Sequence, residues 1–242
     1  MIKRIFMLGA AMAIAISGSV GRPKLESDVF NTSAGKLKIY FVGHASLIFE
    51  INKKRIYVDP WNKLADYTKL PKGDIILITH HHQDHLDTNA INAVSTAGTQ
   101  IVLTAAAYDI LGKGTVLHNG EKVLLEGFEI EAVPAYNSTE GRDKFHPRGR
   151  DNGYILTIGK KRIYIAGDTE DIPEMGSFKN IDIAFLPMNQ PYTMLPEQVA
   201  EAVKRLHPKI LYPYHYGETD PSRLTKLLSE EKGVEVRIRS LR

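Results

Sequence analysis

The chain has 242 residues, 43% hydrophobic and 24% charged, with a formal net charge of +3. That length can bury the core of one large domain, and the near-neutral balance lacks the broad basic footprint of a nucleic-acid binder. There is no cysteine, so disulfides and thiolate ligands are excluded and any metal must be held by His, Asp or Glu.

Residues 1–20, "MIKRIFMLGAAMAIAISGSV", read as an export signal: Lys3 and Arg4 form a positive start, Ile5 to Ile16 is apolar or small, and Ser17, Gly18 and Ser19 suit a signal peptidase. The apolar run is short of the ~20 residues that span a bilayer comfortably. The expectation is an exported protein, periplasmic or secreted, with an uncleaved leader as the alternative and the only route to a membrane.

From Gly35 the chain reads as short strands: "KLKIYFVG", "SLIFEIN" and "KKRIYVDP", the last two joined by a hairpin at Asn52-Lys53-Lys54. "DIILITH" carries Ile75 to Ile78 unbroken, as a strand buried on both faces would. Thr88 is the expected N-cap of a helix "NAINAVSTAG" that stops at Gly98. "TQIVLTA" follows as a strand, then "TVLHNGEKVLLEGFEIEAVPA" as several, turning at Asn119-Gly120 and Glu126-Gly127. The segment from Tyr136 to Asn152 has no hydrophobic period and is long for a connector, which marks it as a functional loop. Strands resume with "GYILTIG", "KRIYIAGDT", "IDIAFLPM" and "KILYPYHYG", interrupted by a helix at "LPEQVAEAVKRLHP" with Pro196 in its first turn. A helix at Ser222 to Glu231 and a strand "VEVRIR" end the chain. Strands first, then strands alternating with helices, then the same again, predict an α/β fold: a four-layer α/β/β/α sandwich in one domain, residues 35–242.

The chemistry concentrates in "DIILITHHHQDHLDT", where four of the nine histidines fall within six residues. His80, His82, Asp84 and His85 occupy the loop beyond a buried strand, a rigid base open to solvent. His80 and His82, two apart, point the same way in extended chain, whereas Asp84 and His85 follow where it turns and can face a second ion. Imidazole and carboxylate are what zinc takes when thiolate is absent. His81 alternates away from its neighbours and is not expected to ligate. His118 in a turn and His207 at a helix end read as structural.

The His80-x-His82-x-Asp84-His85 pattern resembles the signature loop of the metallo-β-lactamase superfamily, and the resemblance extends along most of residues 37–216. "VDPW" with Asp59 is similar to its first acidic motif, "AGDT" with Asp168 to its bridging aspartate, and "PYHYG" with His215 to its last histidine, in the family's order. The resemblance implies the superfamily's sandwich fold and two divalent metal ions, zinc first with manganese or iron as alternatives. His80, His82 and a third histidine would hold one ion, Asp84, His85 and His215 the other, with Asp168 between them. Many relatives carry the third histidine where this chain has Tyr136 and Asn137. His146, in "KFHPRG", is the only histidine available before Asp168 and takes that place. Asp59 is expected to orient a metal histidine rather than ligate.

His44 lies in a "GHAS" segment similar to one near the site in lactonase-like and N-acylphosphatidylethanolamine phospholipase-D-like branches. It is a candidate catalytic residue with Asp84, which could also orient the attacking water. The implied activity is a hydrolase in which two ions lower the pKa of a shared water toward ~7 for attack on an ester, lactone or phosphodiester. The alternatives are an iron-dependent redox enzyme of the same fold and a non-enzymatic extracytoplasmic metal-binding protein. The expected partner is a small-molecule substrate. Arg142, Lys144, Arg148 and Arg150 around His146 would suit an anionic one. Tyr192, Tyr212, Tyr214 and Tyr216 are candidates to donate to a developing oxyanion.

Overall fold

A computed structural model describes residues 25–242, in which the chain lays down two seven-stranded sheets in sequence order. In the first, β1 (Glu26–Thr32), β2 (Gly35–Gly43), β3 (Ser46–Ile51) and β4 (Lys54–Val58) are antiparallel. β5 (Ile75–Leu77), β6 (Gln100–Leu103) and β7 (Thr115–Val116) then continue parallel to β4. The second repeats the plan. β8 (Lys122–Leu125), β9 (Phe128–Ala135), β10 (Asp151–Ile158) and β11 (Lys161–Ile165) are antiparallel, and β12 (Ile183–Pro187), β13 (Ile210–Tyr214) and β14 (Glu235–Val236) extend β11 in parallel. Parallel neighbours need crossovers: helices α1 (Thr88–Val94), α2 (Ala105–Leu111), α3 (Pro196–Leu206) and α4 (Pro221–Leu227) supply four of the six, and loops with short 3-10 turns at Tyr67–Lys69 and Pro173–Ser177 make the β4–β5 and β11–β12 connections.

The unbroken apolar run of β5 is explained by its two faces. Ile75 and Leu77 join the core shared with the second sheet, among Leu156, Ile165 and Phe185. Ile76 and Ile78 turn the other way onto Ala90, Ile91 and Val94 of α1. Each of these isoleucines, fully removed from water, contributes about 1.5–3 kcal/mol. On the far side, Val199, Ala202, Val203 and Leu206 of α3 pack onto the second sheet. The result is the expected sandwich of two sheets with helices outside.

Several local expectations are corrected. Strand pairing begins at Glu26, because β1 pairs with β2 along its whole length from Glu26↔Phe41 to Thr32↔Gly35. Asp87, not Thr88, caps α1, its carboxylate accepting from the backbone N–H of Asn89 at 3.0 Å and Ala90 at 3.1 Å. A charged acceptor aimed at the helix start outcompetes the hydroxyl one residue on. That helix ends at Val94 rather than Gly98. The strand "TQIVLTA" stops at Leu103, since Thr104 accepts from Ala107 N and opens the helix α2. Asp151 and Asn152 belong to β10, and the last helix spans Pro221–Leu227. Only Glu235 and Val236 of the last predicted strand pair. The leader at residues 1–20 lies outside the described residues. Among those described, no helix is long and apolar enough to cross a membrane.

This topology brings the ends of the parallel strands together at one edge of the sandwich. Asp59 follows β4, the His80–His85 loop follows β5, Asp168 follows β11 and His215 follows β13. The β2–β3 turn delivers His44, and the long β9–β10 loop delivers His146.

Candidate metal centre

His44, His80, His82, Asp84, His85, His146, Asp168 and His215, all singled out in the sequence, converge at this edge. His44, Asp59 and His215 adopt left-handed backbone, with φ of 50°, 42° and 47°. Such strain in non-glycine residues persists only where surrounding contacts enforce it. Gly167 (φ 66°) turns the chain immediately before Asp168.

The orientation of each imidazole follows from what its outer nitrogen touches. Asp59, fully buried, accepts from Thr79 N at 2.8 Å and Thr79 Oγ1 at 2.6 Å, and from His85 Nδ1 at 2.8 Å. With its proton committed to Asp59, Thr79 Oγ1 accepts from His80 Nδ1 at 3.0 Å. His146 Nδ1 donates to Asp151 Oδ2 at 3.0 Å. His80, His85 and His146 therefore keep Nε2 free to face inward, the tautomer a metal ligand needs. His80 Nε2 lies 3.1 Å from His82 Nδ1. The Nε2 atoms of His146 and His215 each lie 3.4 Å from Asp168 Oδ2, and His85 Nε2 lies 3.4 Å from Asp168 Oδ1. Asp84 Oδ2 sits 3.8 Å from His85 Nε2, 3.7 Å from His215 Nε2 and 3.1 Å from His44 Nε2. The His44 ring also lies over that of His215, centroids 3.7 Å apart.

Three sets of donor atoms gather within 4.8 Å: His80, His82 and His146; His44, Asp84, His85 and His215; and His80, His85 and Asp168. Asp168 thus stands between the two histidine groups. Among the buried atoms, His85 Nε2, His215 Nε2 and Asp168 Oδ1 have no hydrogen-bond partner. Buried polar atoms left unpaired cost about 1–3 kcal/mol each, and these three face one another. A divalent cation would satisfy them together, and a set of imidazoles and carboxylates without thiolate suits zinc, manganese or iron.

The electrostatics suit a cation. Burial drives His80 well below its ordinary range, and burial with the neighbouring His146 lowers His82 to about 4. Both are neutral at physiological pH, as ligation requires. Burial opposes charge on His85, but Asp168, Asp59 and Asp84 outweigh it and raise the group to about 10. Burial alone would raise Asp168, yet His215, His85 and His146 hold it well below the carboxylate range. Burial pushes Asp84 up as well, and His215 and His44 more than reverse it.

Residues the sequence did not single out complete the site. Asp151 orients His146 and is itself held by Arg150 Nε at 2.8 Å. Glu170, fully buried, accepts from the backbone N–H of Ser138 at 2.8 Å and Thr139 at 2.7 Å, and from Arg142 at 3.2 Å, fixing the loop that carries His146. Glu170 lies two residues past Asp168, and an acidic residue that close to a ligand was the only available signal. Phe145 and Asn189, with no motif to announce them, line the cleft above the cluster beside Tyr192, one of the tyrosines the sequence offered as an oxyanion donor. His81 stands outside all three donor sets, His118 lies in a neighbouring surface cleft, and His207 closes α3 in left-handed backbone.

Residues 38–215 match the profile of a beta-lactamase superfamily domain. A UPF0173 metal-dependent hydrolase of Pelotomaculum thermopropionicum is 32% identical over 226 residues, spanning 84% of this chain and 97% of that protein. A crystal structure from Parabacteroides distasonis, assigned to the metal-dependent hydrolases, is 54% identical with a TM-score of 0.89, covering 90% of this chain and 100% of the other. The metallo hydrolase Igni18 of the archaeon Ignicoccus hospitalis is 27% identical with a TM-score of 0.72, covering 85% and 95%. The paired sheets, the cluster at their shared edge and these likenesses agree, and the chain belongs to the beta-lactamase superfamily.

Proposed function

We propose that this metal-dependent hydrolase of the metallo-β-lactamase fold works with two divalent ions, zinc in the native protein, on an ester, lactone or phosphodiester. His80, His82 and His146 would hold one ion, Asp84, His85 and His215 the other, with Asp168 shared. The observation that carries this reading is the mutual approach of buried, unpartnered His85 Nε2, His215 Nε2 and Asp168 Oδ1. Bound ions would supply a water of lowered pKa and polarise the scissile group. The chain's own contribution is orientation: Asp59, Thr79 and Asp151 fix the imidazoles, and Asp84 Oδ2 with His44 Nε2 forms a pair at 3.1 Å on the cleft wall. That pair would pass a proton to the departing group. The charged start and apolar run of residues 1–20 support export of the mature chain.

The test is metal content by elemental analysis on the zinc-loaded and manganese-loaded protein, paired with turnover of a chromogenic ester and a chromogenic phosphodiester. Two ions per chain and hydrolysis abolished by His82→Ala support the reading. One ion per chain, or turnover indifferent to His82→Ala, overturns it.

A further inference from the structure

The cleft above the cluster encloses about 410 Å³. Its formal charges come from Asp84, Asp168 and the histidines, and among the described residues no Lys or Arg lines it. Three of the four cations of the long loop are engaged away from the cleft. Arg142 binds Glu170, Arg148 reaches Glu174 at 2.6 Å, and Arg150 is held by Asp151 and by the carbonyl of Phe145. Lys144 lies 5.1 Å from the Phe145 ring centroid. An anionic group packed on this wall, away from the scissile bond, would meet no cationic side chain among the residues that line the cleft, and burying an unpaired charge is strongly disfavoured.

The wall itself is aromatic and neutral. Phe145 and Tyr192 meet edge to face with centroids 5.1 Å apart. Asn137 Nδ2 donates to the Tyr192 carbonyl at 2.7 Å, stitching the two loops that form this wall. Three of the four candidate tyrosine hydroxyls are occupied: Tyr212 by Asp28, Tyr214 by the Gly167 carbonyl and Tyr216 by the Arg239 carbonyl. Tyr192, 45% exposed, is the one that lines the cleft. Asn189 lines it too, its amide against Gly217, where an added Cβ would come within 3.1 Å.

We infer that Phe145, Tyr192 and Asn189 form the substrate-recognition wall, and that it selects an uncharged carboxylic ester or lactone with an apolar or ring-bearing group beside the carbonyl. The inference rests on the hydrolase reading above and narrows it. Water adds to the carbonyl carbon, the acyl C–O bond breaks, and the products are the acid and the alcohol. The aromatic pair packs on the apolar group. The Tyr192 hydroxyl and Asn189 amide donate to substrate oxygens, and both are specificity-determining residues.

The experiment uses a matched pair, para-nitrophenyl butyrate and mono-para-nitrophenyl succinate, which differ by a methyl against a carboxylate at the chain end. With zinc-loaded protein, the butyrate is expected to be favoured by at least about tenfold in kcat/KM, and Tyr192→Phe to lose about tenfold on it, as for an unmade hydrogen bond in a site built to donate. Metal content and melting temperature should stay unchanged in that variant. Equal rates on the pair, preference for the succinate, or an indifferent Tyr192→Phe would overturn the inference, while turnover sensitive to His82→Ala would leave the hydrolase reading standing. If neither ester is turned over, calorimetric binding of N-phenylbutanamide against N-phenylsuccinamic acid decides recognition on its own. Tighter binding of the neutral amide, weakened by Tyr192→Phe, supports the wall; equal binding overturns it.

Discussion

The Nδ1 of His85 donates a 2.8 Å hydrogen bond to Asp59 Oδ2, and both side chains are fully buried. The carboxylate fixes the tautomer that turns Nε2 inward, and Thr79 ties the same carboxylate to His80. Asp59→Asn keeps the shape and removes the charge. Loss of such an outer partner typically lowers metal affinity about 10–100-fold. The expected result is weakened binding of the ion on the His85 side with the other retained, read by competition with a chromogenic chelator. Unchanged affinity for both would show that Asp59 only packs.

His85 also sets a pH dependence. In the metal-free protein the carboxylates of Asp168, Asp59 and Asp84 keep it protonated up to about 10, although burial works against the charge. An ion arriving below that pH must displace the proton from Nε2. Apparent affinity should therefore rise about tenfold per pH unit between about pH 7 and 9, one proton released per ion. Calorimetry in buffers of different ionisation enthalpy counts that proton. A flat profile would mean that His85 does not bind the ion.

Gly167 presents Asp168. Its φ of +66° disfavours any side chain, and a Cβ there would lie 2.8 Å from the Asn152 carbonyl oxygen. Gly167→Ala should destabilise by about 2–4 kcal/mol, combining left-handed strain with a clash that only a backbone shift relieves. Metal occupancy should fall with it, because the shift displaces the neighbouring carboxylate. Gly149→Ala is the control: φ is +83° but the space is open, so it should cost only about 1–2 kcal/mol. Equal melting temperatures for the two variants would remove the argument from close approach.

Much of this architecture is legible locally. Ile75 to Ile78 announce a strand buried on both faces, and His80 to His85 stand beyond its end because the apolar run stops at Thr79. His146 is reachable only through the resemblance to the superfamily, which implies a third histidine ahead of Asp168 and leaves His146 as the one in the long loop. What stays hidden depends on partners distant in sequence. Asn137 and Tyr192 meet across 55 residues, and nothing in either segment anticipates the contact. The cations of the long loop suggest an anion site on composition, but Glu170, Glu174 and Asp151 engage three of them. The first strand escapes notice because β1 shows only Phe30 buried, its pairing with β2 supplying the order that its sequence does not.

Asp28 on β1 joins the two sheets at their outer edge. It accepts from Tyr212 of β13, from Arg239 Nη2 at 2.7 Å and from Arg237 Nη1 at 3.2 Å. Burial alone would raise its pKa, but the bonds from Tyr212 and Arg239 outweigh that and leave it below 3.8. A depressed carboxylate contributes stability that is present above its unfolded pKa and lost as pH falls through the folded value. Asp28→Asn should therefore cost about 1–3 kcal/mol at pH 7, from weakened hydrogen bonds to charged partners. At about 2–4 °C per kcal/mol for a chain of this size, the melting temperature should drop by several degrees. The gap from wild type should close as pH falls below about 3.9, where the unfolded carboxyl takes up its proton. A gap that persists undiminished at low pH would assign the effect to packing around Phe30 and Phe41 instead of to the charge.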